Sequence, residues 1–164
     1  MKNIIVICAA FIAASCSNAQ KKTDFGAETL DEKLITLNGE SSSFGQILEK
    51  HKGKTVVIAV WASWCSDCVK AMPNFKKLQG ANPNVEYVYI SMDRAEDKWR
   101  TGVKKHELVG DHYFSANGMK GSFAKSIDLD WIPRYIVVDK TGKIAIYRAI
   151  ETDFEQINAT LKTL

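Results

Sequence analysis

Hydrophobic residues form continuous runs in some parts of the chain and fall at helical spacing in others. The runs of strand length cover residues 55–61, 85–90 and 135–138 and are rich in valine, isoleucine and tyrosine. Runs without polar alternation are typical of strands that are buried on both faces of a sheet. A fourth strand is expected at 143–147, because residues 139–142 read Asp-Lys-Thr-Gly, which predicts a hairpin turn.

Helical spacing marks the segments between and after these strands. A helix over 65–78 is predicted to share one apolar face among Val69, Met72, Phe75 and Leu78, with Pro73 inside it as a kink. Further helices are expected over 95–106, 115–124 and 152–164. Ser43 can cap one more helix, and Thr152 and Glu155 are spaced for a capping box.

Residues 34–39 add a short strand and an Asn-Gly turn, which together indicate an N-terminal β-hairpin. Strand–helix–strand order, followed by a hairpin and a last helix, predicts an α/β fold with a mixed central β-sheet and helices on both faces. At 164 residues the chain has room for one such domain.

The N-terminal segment does not fit this pattern. Lys2 precedes an apolar run at 4–14, which is too short to span a bilayer but suits the core of a signal peptide. The run ends in Ala-Ala-Ser-Cys16, which resembles the lipobox of bacterial lipoproteins. We therefore expect residues 1–15 to be a lipoprotein-type signal peptide and Cys16 to be the lipid anchor.

In this interpretation residues 16–28 form a flexible tether and residues 29–164 form the domain. Two alternatives stay open. A cut after Ala19 would give a soluble periplasmic or secreted protein, and a cytoplasmic protein would keep its apolar N-terminus.

Charge and cysteine content narrow the function classes. The formal net charge is +3 and no long basic run occurs, so we predict no nucleic-acid partner.

Of the four cysteines, Cys8 leaves with the signal peptide and Cys16 is either lipidated or removed. Cys65 and Cys68 remain, and a bridge that closes so small a loop stabilises a fold little. The pair therefore indicates chemistry.

The buried strand at 55–61 is followed by a helix, and Cys65 lies at the start of that helix. Free backbone N–H groups and the positive end of the helix dipole favour the thiolate there, and the thiolate is the species that attacks a disulfide. Cys68, one helical turn on, is placed to attack the resulting mixed disulfide. We expect Cys65 to be the nucleophile and Cys68 the resolving cysteine.

Trp64-Cys65-x-x-Cys68 after a buried strand resembles the active site of thioredoxins. From the hairpin at 34–39 to the C-terminal helix, the chain is similar to the exported, membrane-tethered TlpA and ResA group of thiol–disulfide oxidoreductases. This resemblance implies a thioredoxin fold with an N-terminal hairpin extension. It also implies an enzyme, without a cofactor, that exchanges electrons with disulfides of exported proteins in the reducing direction.

The same resemblance implies that Pro133 is cis and that Trp64, Ile132 and Pro133 line a substrate groove, where Trp131 is a further candidate. It implies a membrane or periplasmic thiol as electron donor, attachment to the membrane through the lipid anchor, and a place in the bacterial cell envelope facing the periplasm.

Two positions depart from these relatives. Thioredoxins have a buried aspartate where this chain has Ala59, and ResA-like proteins often have a glutamate where it has Ala71. Asp67 is the nearest acid in sequence to the cysteines. It is either a proton relay or a first-turn carboxylate that complements the helix dipole.

Two other functions use the same residues. A copper or zinc chaperone could hold its metal through Cys65 and Cys68, but the histidines His51, His106 and His112 are expected at the surface and no metal site is predicted. A thioredoxin-fold adaptor with vestigial cysteines is the third possibility.

Overall fold

Strands and helices alternate through residues 22–164, the part of the chain that the computed structural model describes. The strands are β1 (Lys33–Thr36), β2 (Ser41–Ser43), β3 (Val56–Trp61), β4 (Glu86–Ser91), β5 (Asp111–Phe114), β6 (Arg134–Val138) and β7 (Ile144–Ala149). The helices are α1 (Ala27–Leu30), α2 (Phe44–Lys50), α3 (Ser66–Ala81), α4 (Glu96–Lys105), α5 (Ser122–Ser126) and α6 (Phe154–Leu161). A 3-10 turn, Gly118–Lys120, precedes α5.

The seven strands form one sheet in the order β2-β1-β5-β4-β3-β6-β7. β3 and β4 pair in parallel, as do β4 and β5, and the remaining neighbours are antiparallel. All six residues of β3 are buried, because this strand has a neighbour on each side and helices above and below. The predicted mixed central sheet is confirmed.

Helices α3, α4 and α6 cover one face of the sheet. Phe75 of α3 packs against Tyr89 of β4 and Tyr135 of β6, with ring centroids 5.7 and 4.9 Å apart. Phe154 of α6 also packs against Tyr135, and Trp99 of α4 stacks on Phe114 of β5, with centroids 5.6 Å apart.

The opposite face is covered by α1, α2 and α5, which contact one another. Successive strand residues point to opposite faces, so the buried Ile58 and Val88 lie on this side. Phe44 of α2 joins the cover through edge-to-face contacts with Phe25 and Phe123. Helices on both faces were predicted, and the fold agrees.

The N-terminal hairpin is present: β1 pairs with β2, and on its other side with β5. The helix after it begins as expected, because the Ser43 hydroxyl accepts a hydrogen bond from Gln46 N–H while the Gln46 side chain accepts one from Ser43 N–H. A capping box therefore fixes the start of α2.

Residues 22–28, which the sequence analysis placed in the tether, contact the domain. Phe25 is buried against Phe44, and Ile144 N–H donates a hydrogen bond to the carbonyl oxygen of Thr23 at 2.8 Å. Thr23 and Phe25 are therefore held against the domain by these contacts. The predicted signal peptide, Cys16 and the first part of the tether lie outside the described residues.

The secondary structure differs from the sequence predictions at several points. β5 was not predicted, because its polar residues Asp111 and His112 hide a strand that depends on its partners β4 and β1. Asp153, not a capping box of Thr152 and Glu155, precedes α6. The expected helix over 115–124 is divided between the 3-10 turn and α5.

Within residues 22–164, every helix is too short or too polar to cross a bilayer.

Candidate active site

Cys65 is the N-cap residue of α3, and three residues separate it from the end of β3. Its Sγ accepts a hydrogen bond from Cys68 N–H at 3.1 Å, one of the first-turn donors that a helix leaves without an internal partner. The two cysteines form a disulfide, with their Cα atoms 5.3 Å apart, a normal separation for a bridge. The predicted pairing of dithiol and helix start is therefore present.

The two sulfurs differ in how they can be reached. Both residues are mainly buried, with 6% of Cys65 and 2% of Cys68 exposed. Cys65, however, lines an open groove of about 350 Å³. Trp64 and Trp131 belong to the same groove and are 53% and 59% exposed. A partner can therefore approach Cys65 along an apolar surface, whereas Cys68 lies behind it.

The loop before β6 completes the groove. The Ile132–Pro133 peptide bond is cis, as the resemblance implied. The carbonyl oxygen of Ile132 lies 3.5 Å from Cys65 Sγ, and both Ile132 and Pro133 are buried. The structure thus places Trp64 and Ile132 in the groove beside Cys65, and Pro133 follows Ile132 through the cis peptide bond.

Asp67 lies in the first turn of α3 and lines the groove. Its carboxylate is 3.8 Å from Lys70 Nζ and lies near the Ser66 hydroxyl. Among the described residues, no hydrogen bond joins it to Cys68. This position suits a carboxylate that complements the helix dipole, and it also leaves the group at the rim of the groove where a partner binds.

Ala59 and Ala71 are both buried, so no carboxylate stands where the relatives have one. In the β3–β6 register Ala59 is opposite Tyr135, whose ring stacks on Phe75 of α3. Burial, and to a smaller extent the negative charge of Glu151, raise the pKa of Tyr135 well above that of a free phenol. The side chain opposite Ala59 is therefore a phenol that stays neutral at neutral pH.

Asp93 is a site residue that the sequence analysis missed. It is fully buried at the C-terminal end of β4, beside the strand that leads to the cysteines. Its carboxylate accepts hydrogen bonds from Ser63 N–H at 3.0 Å, from the Ser63 hydroxyl at 2.6 Å and from the Ser91 hydroxyl at 2.7 Å. The sequence did contain one signal for this residue: it is an acid just after a buried strand, and that strand was expected to neighbour the strand that leads to the cysteine motif.

Asp130 and Met119 are two more groove residues that sequence reasoning did not single out. Asp130 accepts hydrogen bonds at 2.6 Å from the guanidinium groups of Arg134 and Arg148. Burial raises the pKa of Asp130, but a backbone hydrogen bond at Asp130 and the charges of the two arginines outweigh it and hold the pKa below its usual range. The acid is therefore charged and already paired within the protein.

The structure does not favour the metal-chaperone alternative. Within residues 22–164, no group of three or more His, Cys, Asp or Glu side chains is arranged to hold a metal ion. The expectation of three surface histidines is wrong for two of them: His51 and His112 are buried, and His112 stacks on Tyr89.

A cysteine pair at a helix start, at the end of a central strand and beside a cis-proline loop, defines the class of thioredoxin-like disulfide oxidoreductases. The family model described as thioredoxin-like matches residues 53–144, more than half of the chain. The protein therefore belongs to the thioredoxin-like family.

Known proteins of this kind are similar over most of the chain. The thiol-disulfide oxidoreductase ResA of Bacillus thuringiensis subsp. konkukian is 25% identical over 147 residues, 88% of this chain and 81% of ResA. A thiol-disulfide oxidoreductase from Bacteroides fragilis superposes with a TM-score of 0.67 at 26% identity, over 81% of this chain and 96% of its own. A secreted Mycobacterium tuberculosis disulfide oxidoreductase, homologous to E. coli DsbE, shares the fold with a TM-score of 0.65 at 20% identity, over 85% of this chain and 100% of its own.

Proposed function

We propose that the protein reduces disulfides of exported proteins, with Cys65 as the nucleophile and Cys68 as the resolving cysteine. The observation that carries this proposal is the position of Cys65 Sγ, which accepts the Cys68 N–H bond at the start of α3 and lines the groove between Trp64 and Trp131. The similarity to ResA, a thiol-disulfide oxidoreductase, supports disulfide exchange as the reaction, and the reducing direction is part of the proposal.

The reaction consists of two exchanges. The Cys65 thiolate attacks one sulfur of the partner's disulfide, and the partner's other sulfur leaves as a thiolate that takes up a proton. The Cys68 thiol then loses its proton and attacks Cys65 Sγ, which releases the partner's second sulfur as a thiol. Two electrons and two protons have passed to the partner, and the protein holds the Cys65–Cys68 disulfide. A membrane or periplasmic dithiol donor restores the reduced form by the reverse exchange.

Trp64, Ile132 and Pro133 form the substrate groove in this proposal. The exposed indole of Trp64 supplies apolar contact area, and the Ile132 carbonyl is close enough to Cys65 to position the partner's chain beside the sulfur.

The cysteine roles can be tested with a synthetic peptide that contains one internal disulfide and with dithiothreitol as the donor. Cys65→Ser should abolish peptide reduction, because the attacking sulfur is gone. Cys68→Ser, reduced with dithiothreitol and freed of it before the peptide is added, should accumulate the mixed disulfide between Cys65 and the peptide, because no second thiol is present to resolve it. Normal turnover by the Cys68→Ser variant would contradict the assigned roles, and activity of Cys65→Ser would favour the adaptor alternative.

The direction can be read from the redox state of the protein in cells. Acid quenching followed by alkylation should find Cys65 and Cys68 mostly as thiols, because a reductant has to be kept reduced by its donor. A predominantly oxidised pair would indicate an oxidase instead.

We further propose that Cys16 carries a lipid and that the domain faces the periplasm of a bacterial cell envelope. The apolar run at 4–14 and the Ala-Ala-Ser-Cys16 sequence support this, as does the secreted mycobacterial relative. The mass of the mature N-terminus tests it: a lipid-modified Cys16 is expected, whereas an unmodified N-terminus at Gln20 would show simple export.

Asp67 is the proposed proton relay to the dithiol, since Ala59 and Ala71 cannot serve. Asp67→Asn should flatten the acidic limb of the pH profile of peptide reduction. An unchanged profile, with a loss of about 0.5 kcal/mol in the free energy of unfolding, would assign the carboxylate to the helix dipole alone.

A further inference from the structure

A second cavity, of about 470 Å³, adjoins the cysteine groove on the far side of Trp64. The two spaces share the side chains of Trp64 and Met119, so an extended chain bound at Cys65 reaches the second cavity by passing over these two residues. Arg94 and Lys120, both exposed, also line this second cavity. We call it the basic cavity.

The charges in the two spaces are balanced differently. Asp67 and Asp130, in the cysteine groove, lie 3.8 Å from Lys70 Nζ and 2.6 Å from the arginines, respectively. Arg94 and Lys120, in contrast, have no ion pair within 4 Å among residues 22–164.

Asp93 also belongs to the wall of the basic cavity, as one carboxylate against two cations. Although it contributes to the wall, its carboxylate is fully buried and is engaged by three hydrogen bonds from Ser63 and Ser91. The cations of the wall outnumber its carboxylate two to one, and they are exposed to a bound chain whereas the carboxylate is buried.

From this arrangement we infer that the basic cavity binds an acidic side chain of the substrate polypeptide, within a few residues of the cysteine that Cys65 attacks. The inference rests on the proposed function, which brings a polypeptide to Cys65. Charge complementarity selects aspartate or glutamate, and the continuity through Trp64 and Met119 selects a segment of the same chain rather than a separate anion. Substrates of this protein are thus disulfides with acidic flanking residues.

The experiment uses three peptides with the same central disulfide, flanked on both sides by glutamate, glutamine or lysine. Each is reduced by the wild-type protein and by Arg94→Glu/Lys120→Glu. A double variant at exposed lysines outside both spaces, Lys54→Glu/Lys162→Glu, makes the same change in net charge and serves as the control. The affinity of the oxidised protein for cysteine-to-serine versions of the peptides is measured by calorimetry, so that docking is followed without exchange.

The wild type should reduce and bind the glutamate peptide about fivefold better than the glutamine peptide, and the lysine peptide worst. Arg94→Glu/Lys120→Glu should reverse this order, and the control double variant should keep it. The preference should shrink as salt is added, because the cations are exposed.

Equal rates and affinities for the three peptides would overturn the inference while leaving the proposed function intact. A glutamate preference that survives in Arg94→Glu/Lys120→Glu would also overturn it, because another surface would then be responsible. Glutamate-selective binding that depends on Arg94 and Lys120, but without any peptide reduction, would uphold the docking site and contradict the proposed function.

Discussion

The carboxylate of Asp93 accepts hydrogen bonds from both the backbone N–H and the hydroxyl of Ser63, which lies two residues before Cys65. These bonds tie the turn that delivers the nucleophile to the end of the neighbouring strand β4. A buried carboxylate is tolerated only where its oxygens are satisfied, and here the Ser63 and Ser91 groups satisfy them. Within residues 22–164, Asp93 makes no hydrogen bond to Cys65. The position of Cys65 nevertheless depends on Asp93, because Asp93 holds the turn that precedes it.

Asp93→Asn should lower the free energy of unfolding by about 2 kcal/mol, because the new amide group would face donors from Ser63 and Ser91 in a buried place. Denaturant unfolding of the oxidised protein measures this loss. Ser63→Ala is the matched control, since it removes one donor and keeps the backbone bond, and it should cost less. Equal stability of Asp93→Asn and the wild type would show that the carboxylate is not needed to hold the turn.

Helix α4 approaches the same turn from another side, at Gly102. A Cβ there would lie 2.8 Å from Ser63 Cβ and 3.0 Å from Cη2 of Trp61. The steric contact in Gly102→Ala should therefore cost about 1–3 kcal/mol of the free energy of unfolding, and the higher helix propensity of alanine should offset about 1 kcal/mol of this. The variant should also change the rate at which reduced Cys65 is alkylated.

Gly80 provides the comparison for Gly102. It also lies in a helix, α3, but a Cβ there would meet nothing within 4 Å. Gly80→Ala should stabilise the protein by about 0.5–1 kcal/mol and leave the alkylation rate of Cys65 unchanged. If the two alanine variants shift stability in the same direction, the contact between α4 and the Ser63 turn is not close enough to matter.

Trp64 should matter for polypeptides and not for small disulfides. Trp64→Ala removes an exposed indole that both cavities share, so we expect peptide reduction to slow about tenfold while the rate with a small aromatic disulfide stays the same. Trp64→Phe should restore most of the loss. A parallel fall with both substrates would mean that the indole supports Cys65 itself rather than the docking of a chain.

His112 should make stability depend on pH near neutrality. Burial lowers its pKa, against the smaller effects of the Leu108 carbonyl and Asp111. Its Nε2 lies 3.1 Å from that carbonyl and carries the proton, whereas Nδ1 is buried without a partner among residues 22–164. The unfolded chain therefore takes up a proton more readily than the folded protein.

With a folded pKa below the unfolded one, the free energy of unfolding should fall as the pH drops below about 6.5. Unfolding measured between pH 7.5 and 5.5 should show this decline in the wild type, and His112→Gln should flatten it. The less buried His106 is the control site, and His106→Gln should keep most of the slope. A slope that is unaffected by His112→Gln would assign it to another group.

The sequence predicted the parts of this fold that local patterns determine. β3 and β6 were found because their uniform apolar residues match burial on both faces, and Cys65 was placed at a helix start because strand, motif and helix are contiguous. β5 was missed because its Asp-His-Tyr-Phe sequence becomes a strand only by pairing with β1 and β4.

The missed site residues share this dependence on distant partners. Asp93 follows a buried strand, but this position alone does not reveal its contact with Ser63, thirty positions earlier. Met119 and Asp130 reach the groove from segments far along the chain from Cys65. The residues around Met119 and Asp130 in the sequence form no pattern that predicts which cavity these two side chains line.

If Cys16 carries a lipid as proposed, the hydrogen bond from Ile144 N–H to the Thr23 carbonyl limits how far the catalytic domain can operate from a bilayer. In the proposed lipoprotein only seven residue steps separate Cys16 from Thr23, and a fully extended chain of that length spans at most about 25 Å. The oxidoreductase would then work within a thin layer above the headgroups. Its natural clients would be membrane-attached or newly translocated chains, and freely diffusing proteins would be reduced only when they came to that surface.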